Sequence, residues 1–124
     1  MLGPENLKTI VASDNLAETL VYERHDDEAE QILSGNLATV VRVFGADHPE
    51  LASIRYSLGC IALHRGHRDE AIDLFRSAVE HGFTPQQSME LETDPELKPI
   101  YDDPRFAAIV SEARERAAAA QNTK

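Results

Sequence analysis

Residues 58–75, with the sequence LGCIALHRGHRDEAIDLF, decide the fold. Apolar side chains recur at three- and four-residue steps on both sides of Gly66, and each set predicts one apolar stripe on a helix. Gly66 suits the left-handed backbone that ends a helix, while Asp69 and Glu70 suit the positive N-terminal end of the next one. The stretch therefore predicts two consecutive helices joined by a tight turn.

Two small residues in this stretch indicate how the helices pack. Gly59 and Ala71 fall where two antiparallel helices must approach closely, and a large side chain there would push them apart. The stretch is therefore predicted to be a helical hairpin with a close contact between its two members.

The same pattern occurs 42 residues earlier in the chain. Self-similarity at a fixed period is the sequence signature of a repeat architecture, in which each unit packs on the next. Three short matches share this register: Leu16-Ala17 with Leu58-Gly59, Asp27-Glu28-Ala29 with Asp69-Glu70-Ala71, and Ile32-Leu33 with Leu74-Phe75. We predict an all-α protein, an α-solenoid of antiparallel helix pairs. Gly35-Asn36 falls inside the second helix of the first unit, which is therefore expected to bend or fray.

The charge and composition of the chain argue against several classes of partner. The formal net charge is −10 over 124 residues, whereas a nucleic-acid-binding protein needs a Lys/Arg footprint to displace counterions from phosphates. No apolar run approaches the ~20 residues that span a bilayer, and the first residues do not resemble a signal peptide. Cys60 is the single cysteine, so no intrachain disulfide forms. These features predict a cytoplasmic protein that binds neither nucleic acid nor membrane.

The second unit resembles a known repeat family. Leu58-Gly59, Gly66, Ala71, Phe75 and Ala78 are similar to the tetratricopeptide signature of small and large residues at fixed spacing. The 42-residue period and the link at residues 44–49 resemble the longer kinesin-light-chain type of this repeat. The resemblance covers residues 2–85 and implies one repeat at about 10–43 and a second at about 50–82.

The C-terminal third resembles the end of bacterial repeat arrays, some of which are attached to Ser/Thr kinases. Asp94-Pro95-Glu96-Leu97 and Asp103-Pro104-Arg105-Phe106 carry this resemblance. It implies a cap at about 86–117 that covers the last repeat, followed by a frayed tail at 118–124, all within one domain of residues 1–124. Residues 2–5 resemble the end of a preceding unit, so the chain is expected to begin inside an array. An uncovered N-terminal face could then support self-association.

In tetratricopeptide arrays the first helices of successive units line a concave groove that binds a peptide or protein. The groove positions implied here are Val11, Asp14, Asn15, Glu18 and Tyr22 in the first unit, and Ser53, Tyr56, Ser57, Cys60 and His64 in the second. Because Asp14 and Glu18 would repel an anion, a neutral to basic partner is expected. The resemblance implies a non-catalytic interaction module, or alternatively the regulatory repeat region of a larger bacterial enzyme such as a Ser/Thr kinase. Solvated helix faces are the alternative for any single residue.

Some residues permit other chemistry. Cys60, His64 and His67 could share a helix end and bind a metal ion, and Cys60 with His64 could form a nucleophile and base. However, Gly66 interrupts the helix before His67, and neither a fourth ligand nor a group to orient the imidazole is evident. The acidic cluster Asp26-Asp27-Glu28 could bind a cation or a basic partner, or could simply compensate the helix dipole. No catalytic motif is present, so we predict no enzyme activity, no metal and no cofactor.

Overall fold

The computed structural model describes residues 6–122, and these residues form helices and turns without any strand. The order along the chain is α1 (Leu7–Tyr22), α2 (Asp26–Phe44), α3 (Glu50–His64), α4 (Arg68–Glu80), α5 (Pro85–Glu90), a 3₁₀ helix (Pro95–Ile100) and α6 (Pro104–Asn122). Sequential helices pack as neighbours, α1 on α2 and α3 on α4, with α2 also on α3. The predicted all-α solenoid of antiparallel helix pairs is confirmed. None of the described helices is long and apolar enough to cross a membrane.

The two helix pairs, which we call unit one (α1 and α2) and unit two (α3 and α4), share one spacing. Helix α1 ends at Tyr22 and α3 at His64, 42 residues later. The turns also correspond, because Arg24 has a φ of 64° and Gly66 a φ of 78°. Both values lie in the left-handed region that ends a helix, as predicted for Gly66.

A close contact between α3 and α4 lies at the centre of unit two. A Cβ added to Gly59 would lie 2.6 Å from Cε1 of Phe75, so only glycine leaves room for the buried ring. Ala71 is also fully buried. The equivalent positions in unit one hold Ala17, which is one methyl group larger than glycine, and Leu33, which is smaller than phenylalanine. Both residues are buried.

Helix α2 is continuous from Asp26 to Phe44, so the predicted fraying at Gly35-Asn36 does not occur. The amide of Asn36 donates to Oδ1 of Asp14 at 2.8 Å and to Oγ of Ser13 at 3.1 Å, both on α1. These bonds hold the middle of α2 in place, which offsets the cost of the adjacent glycine.

The C-terminal segments cover unit two. Helix α6 packs on α4 and α5, and the 3₁₀ helix packs on α3. Most of their buried side chains are apolar: Leu91, Leu97, Ile100, Phe106, Ile109, Val110 and Ala113. At the start of α6, Asp103 accepts a hydrogen bond from the backbone N–H of Arg105 at 2.9 Å.

The ends of the chain differ from the sequence prediction or lie outside the described residues. Helix α6 continues to Asn122 instead of ending near residue 117, because residues 117–120 are all alanine and alanine has the highest helix propensity. The resemblance of residues 2–5 to a preceding unit lies outside the described residues.

Candidate functional site

A partly enclosed cavity of about 90 Å³ lies between α1, α3 and the segment at 83–94, which contains α5. We call it the α1–α3–α5 pocket. Its lining residues are Glu18 and Tyr22 from α1, Ser53, Tyr56 and Ser57 from α3, and Phe83, Gln87, Glu90 and Asp94 from the segment at 83–94. Five of the ten predicted groove residues therefore converge on one cavity: Glu18, Tyr22, Ser53, Tyr56 and Ser57.

The other five predicted groove residues lie elsewhere. Val11 and Asn15 are earlier on α1, half-buried and exposed respectively, and do not line the cavity. Asp14, Cys60 and His64 are buried by contacts with other segments of the chain, which helical spacing alone does not reveal.

Asp14 is not a groove residue, because only 5% of it is exposed and its partners lie on α2 and α3. Its Oδ1 accepts the hydrogen bond from Asn36, whereas no donor among the described residues reaches its buried Oδ2. Burial, followed by the neighbouring carboxyl of Glu50, raises the pKa of Asp14 to about 8. At neutral pH the protonated carboxyl can donate to Glu50, which joins unit one to the start of unit two.

Cys60 is closed off from the groove. It is 4% exposed, since the 3₁₀ helix packs across α3 at this end. Burial, with Asp94 and Glu96 nearby, raises the pKa of its thiol. A thiol held in the neutral form is a poor nucleophile and a poor metal ligand.

His64 connects three segments instead of facing a ligand. Its Nδ1 lies 2.9 Å from a carboxylate oxygen of Asp26 at the start of α2, and its Nε2 lies 2.8 Å from Oε2 of Glu96 in the 3₁₀ helix. Only 7% of the imidazole is exposed. The groove prediction for Cys60 and His64 is therefore wrong, because the cap folds over this end of α3.

The metal hypothesis for Cys60, His64 and His67 is not supported within residues 6–122. Both ring nitrogens of His64 contact carboxylates, and Nδ1 of His67 faces Glu70 at 3.3 Å. No group of three or more potential ligands there is arranged to hold a metal ion.

The acidic cluster at the start of α2 pairs with the end of α3. Besides the contact of Asp26 with His64, Oδ1 of Asp27 lies 2.7 Å from Nη2 of Arg65, and Oε2 of Glu30 lies 2.9 Å from its Nη1. These carboxylates therefore join the two units, and this accounts for their charge without a bound cation.

Tyr56 forms the rear wall of the α1–α3–α5 pocket. Its ring centroid lies 5.2 Å from that of Phe75 and 5.8 Å from that of Phe83. Its hydroxyl donates a hydrogen bond to Asp94. Burial first, and then this bond to Asp94, raises the pKa of Tyr56. The residue is thus both a pocket wall and a link to the cap.

Sequence analysis missed the wall of the pocket formed by Phe83, Gln87, Glu90 and Asp94. Helix α5 has six residues, too few for an apolar stripe to reveal which face packs. The local signals that were available were Thr84 and Gln87, which form a capping box, and the Asp-Pro step at Asp94. They predict a helix start and a turn but not the surface on which these elements pack.

The pocket carries an excess of negative charge. Three of its lining residues are acidic, namely Glu18, Glu90 and Asp94, and no lining residue is basic. Burial first, then the charges of Glu90 and Asp94, raises the pKa of Glu18. Burial and the charge of Asp94 raise the pKa of Tyr22 to about 12. A cationic group would lower the energy of this arrangement.

The fold and this site together define a helical-repeat protein with a recessed surface between its repeats. A family model described as the tetratricopeptide repeat matches residues 9–81. That range is more than half of the chain, and the chain belongs to the tetratricopeptide repeat family. Repeats of this family generally mediate protein–protein interaction and are non-catalytic scaffolds. No curated protein and no solved structure matches the chain.

Proposed function

We propose that this chain is a non-catalytic interaction module that holds a neutral to basic peptide or protein surface at the α1–α3–α5 pocket. One observation carries the proposal: side chains from three segments distant in sequence converge on one cavity. The ring of Tyr22, 54% exposed, stands at its edge. Rigid aromatic rings with short polar neighbours suit recognition, because they lose little entropy on contact.

The experiment that tests this proposal compares two exposed truncations. Tyr22→Ala removes the ring at the pocket, whereas Met89→Ala removes an even more exposed apolar side chain of α5 that does not line the pocket. Quantitative affinity capture from the source cell should lose specific partners with Tyr22→Ala and keep them with Met89→Ala. Equal partner sets for both variants and the unaltered chain would contradict the proposal. Tyr56 is less suitable, because its truncation also removes packing against Phe75.

Self-association through the N-terminal face is a second proposal. Helices α1 and α2 expose apolar side chains, notably Leu16, Val43 and Phe44, and solenoid ends need a polar cover. We expect a concentration-dependent dimer in analytical ultracentrifugation that Leu16→Glu weakens. A single monomeric species at every concentration would overturn this proposal.

Two finer predictions concern the parent protein. Attachment to a bacterial Ser/Thr kinase and a cytoplasmic location rest on the sequence resemblance alone and stay predictions. Sequencing the complete parent gene tests the first, and localising a fluorescent fusion of its product tests the second.

A further inference from the structure

Several acidic side chains outside the α1–α3–α5 pocket have an arginine partner. Arg65 pairs with Asp27 and Glu30, and Nη2 of Arg114 lies 2.5 Å from Oε1 of Glu92. The carboxylates of the pocket differ from these. Within residues 6–122, neither Glu18 nor Glu90 has an ion-pair partner, and neither carboxylate accepts a hydrogen bond.

Asp94 completes the acidic set without adding a counterion. Its carboxylate accepts hydrogen bonds from the Tyr56 hydroxyl and from the backbone N–H of Glu96, the latter at 2.9 Å. Both donors are neutral, so the negative charge stays. Three carboxylates, one from α1 and two from the segment at 83–94, thus surround one cavity, and the described part of the chain supplies no cation to balance them.

A hydroxyl in the same cavity also lacks a partner. Ser57 lines the pocket and is only 9% exposed, but its side chain makes no hydrogen bond with any described residue. A serine this deeply buried normally has a hydrogen-bond partner. Its hydroxyl oxygen is therefore free to accept an N–H bond from a group in the cavity.

The size and walls of the cavity suit an organic cation with an aliphatic stem. A volume of about 90 Å³ is several times the ~10–15 Å³ that one water molecule requires. The rings of Tyr22 and Phe83 offer apolar surface to a methylene chain, and aromatic faces attract a cation placed over them. An ammonium or guanidinium group fits this combination better than a divalent metal ion, which requires several oxygen ligands at close range.

We propose that the α1–α3–α5 pocket binds the side chain of a lysine or arginine on the partner. The cationic group lies among Glu18, Glu90 and Asp94 and donates a hydrogen bond to the hydroxyl of Ser57. Its stem packs against Tyr22. This inference rests on the proposed interaction function and specifies the chemistry of the partner.

The experiment titrates the ¹⁵N-labelled chain with three capped amino acids, the N-acetyl methylamides of lysine, arginine and norleucine, and follows the amide shifts by NMR. We expect saturable shifts centred on residues 18–22, 53–57 and 83–94 with the two cationic probes. Norleucine, which has a similar stem and no charge, should bind about tenfold more weakly or not at all, because it lacks the ion pairing.

Three variants test the residues. Glu18→Gln and Glu90→Gln should each weaken binding of the cationic probes about three- to tenfold, and Ser57→Ala should weaken it without a change of charge. Glu115→Gln is the matched control, since it removes an exposed carboxylate of α6 outside the pocket. Far-ultraviolet circular dichroism of each variant verifies that the helices are intact.

Two results would overturn the inference. One is equal affinity for the lysine and norleucine probes; the other is shifts spread over the acidic surface and unchanged by Glu18→Gln. If Tyr22→Ala abolishes partner capture while the cationic probes fail to bind, this inference fails and the interaction function stands. If the probes bind as expected but Tyr22→Ala leaves the captured partners unchanged, the proposed interaction function fails and the cation site stands.

Discussion

Units one and two have the same helix spacing, but equivalent positions on their first helices have different surroundings. Tyr22 and His64 are 42 residues apart, each the last residue of its helix. Tyr22 is largely exposed at the edge of the pocket, whereas His64 is enclosed by Asp26 and Glu96. The difference arises because the 3₁₀ helix packs across the end of α3. A groove position in this family therefore depends on neighbouring segments as well as on helical phase.

A second pair of equivalent positions differs in chemistry. Unit one places Asp14 against Asn36, and the positions 42 residues later hold Tyr56 and the fully buried Ala78. The polar pair of unit one fixes α1 to α2 by a hydrogen bond. In unit two a ring occupies the corresponding place on α3, packs on Phe75 and binds the cap through Asp94. The two units thus use different side chains at this position to connect their first helix to its neighbours.

The largest effect should follow from replacing His64, the enclosed residue of the pair Tyr22 and His64. His64→Ala leaves the carboxylates of Asp26 and Glu96 facing each other without the imidazole. The variant removes a buried side chain together with both of its hydrogen bonds, and we expect the free energy of unfolding to fall by about 2–4 kcal/mol. Tyr22→Ala is the matched control, with a loss below about 1 kcal/mol. Urea denaturation measures both, and equal losses would refute the comparison.

An intermediate effect should come from the glycine contact of unit two. Gly59→Ala forces a methyl group against the buried ring of Phe75, and such overpacking costs about 1–3 kcal/mol of unfolding free energy. Gly35→Ala in unit one is the control, because an added Cβ there meets nothing within 4 Å, and it should stabilise the protein by about 0.5–1 kcal/mol. Thermal unfolding measures both changes.

A rescue variant sharpens the Gly59 prediction. Gly59→Ala combined with Phe75→Leu recreates the pair found at Ala17 and Leu33 in unit one. The double variant should be less destabilised than the sum of its two single variants. Simple additivity would show that the ring is not the source of the cost.

The third effect is pH-dependent and concerns Asp14. Its folded-state pKa is about 8 against an ordinary value of 3.8, so the folded protein retains a proton that the unfolded chain releases. The stabilisation from this group is complete below about pH 4 and is lost as the pH rises to about 8. Asp14→Asn, which cannot ionise, should remove this slope, so that it raises the free energy of unfolding more at pH 8 than at pH 4.

The control for Asp14 is Asp102→Asn, which changes an exposed carboxylate. It should leave the dependence of stability on pH between about 4 and 8 unchanged, as measured by urea denaturation at each pH. An identical pH profile for Asp14→Asn and the unaltered chain would show that the carboxyl is ionised in the folded protein at neutral pH.

Sequence reasoning succeeded where the signal is local or periodic. The turn at Gly66, the close approach at Gly59 and the helices of both units follow from side-chain spacing and backbone preference, which act within a few residues. The same reasoning failed for Asp14, Cys60 and His64, since each is buried by a segment remote in sequence. It also ended α6 too early, because terminal residues are expected to fray, whereas the alanines at 117–120 favour the helix.

By itself the sequence determined that this protein is a helical-repeat module of the tetratricopeptide type, since amphipathic spacing and the 42-residue register are properties of the chain alone. Only the tertiary structure decided which positions reach a ligand. The 3₁₀ helix covers one end of α3, the segment at 83–94 adds the carboxylates of Glu90 and Asp94, and a pocket forms beside Glu18. The physical reason is that burial and electrostatic potential depend on all neighbours in space, whereas the periodicity of apolar residues describes only one helix at a time.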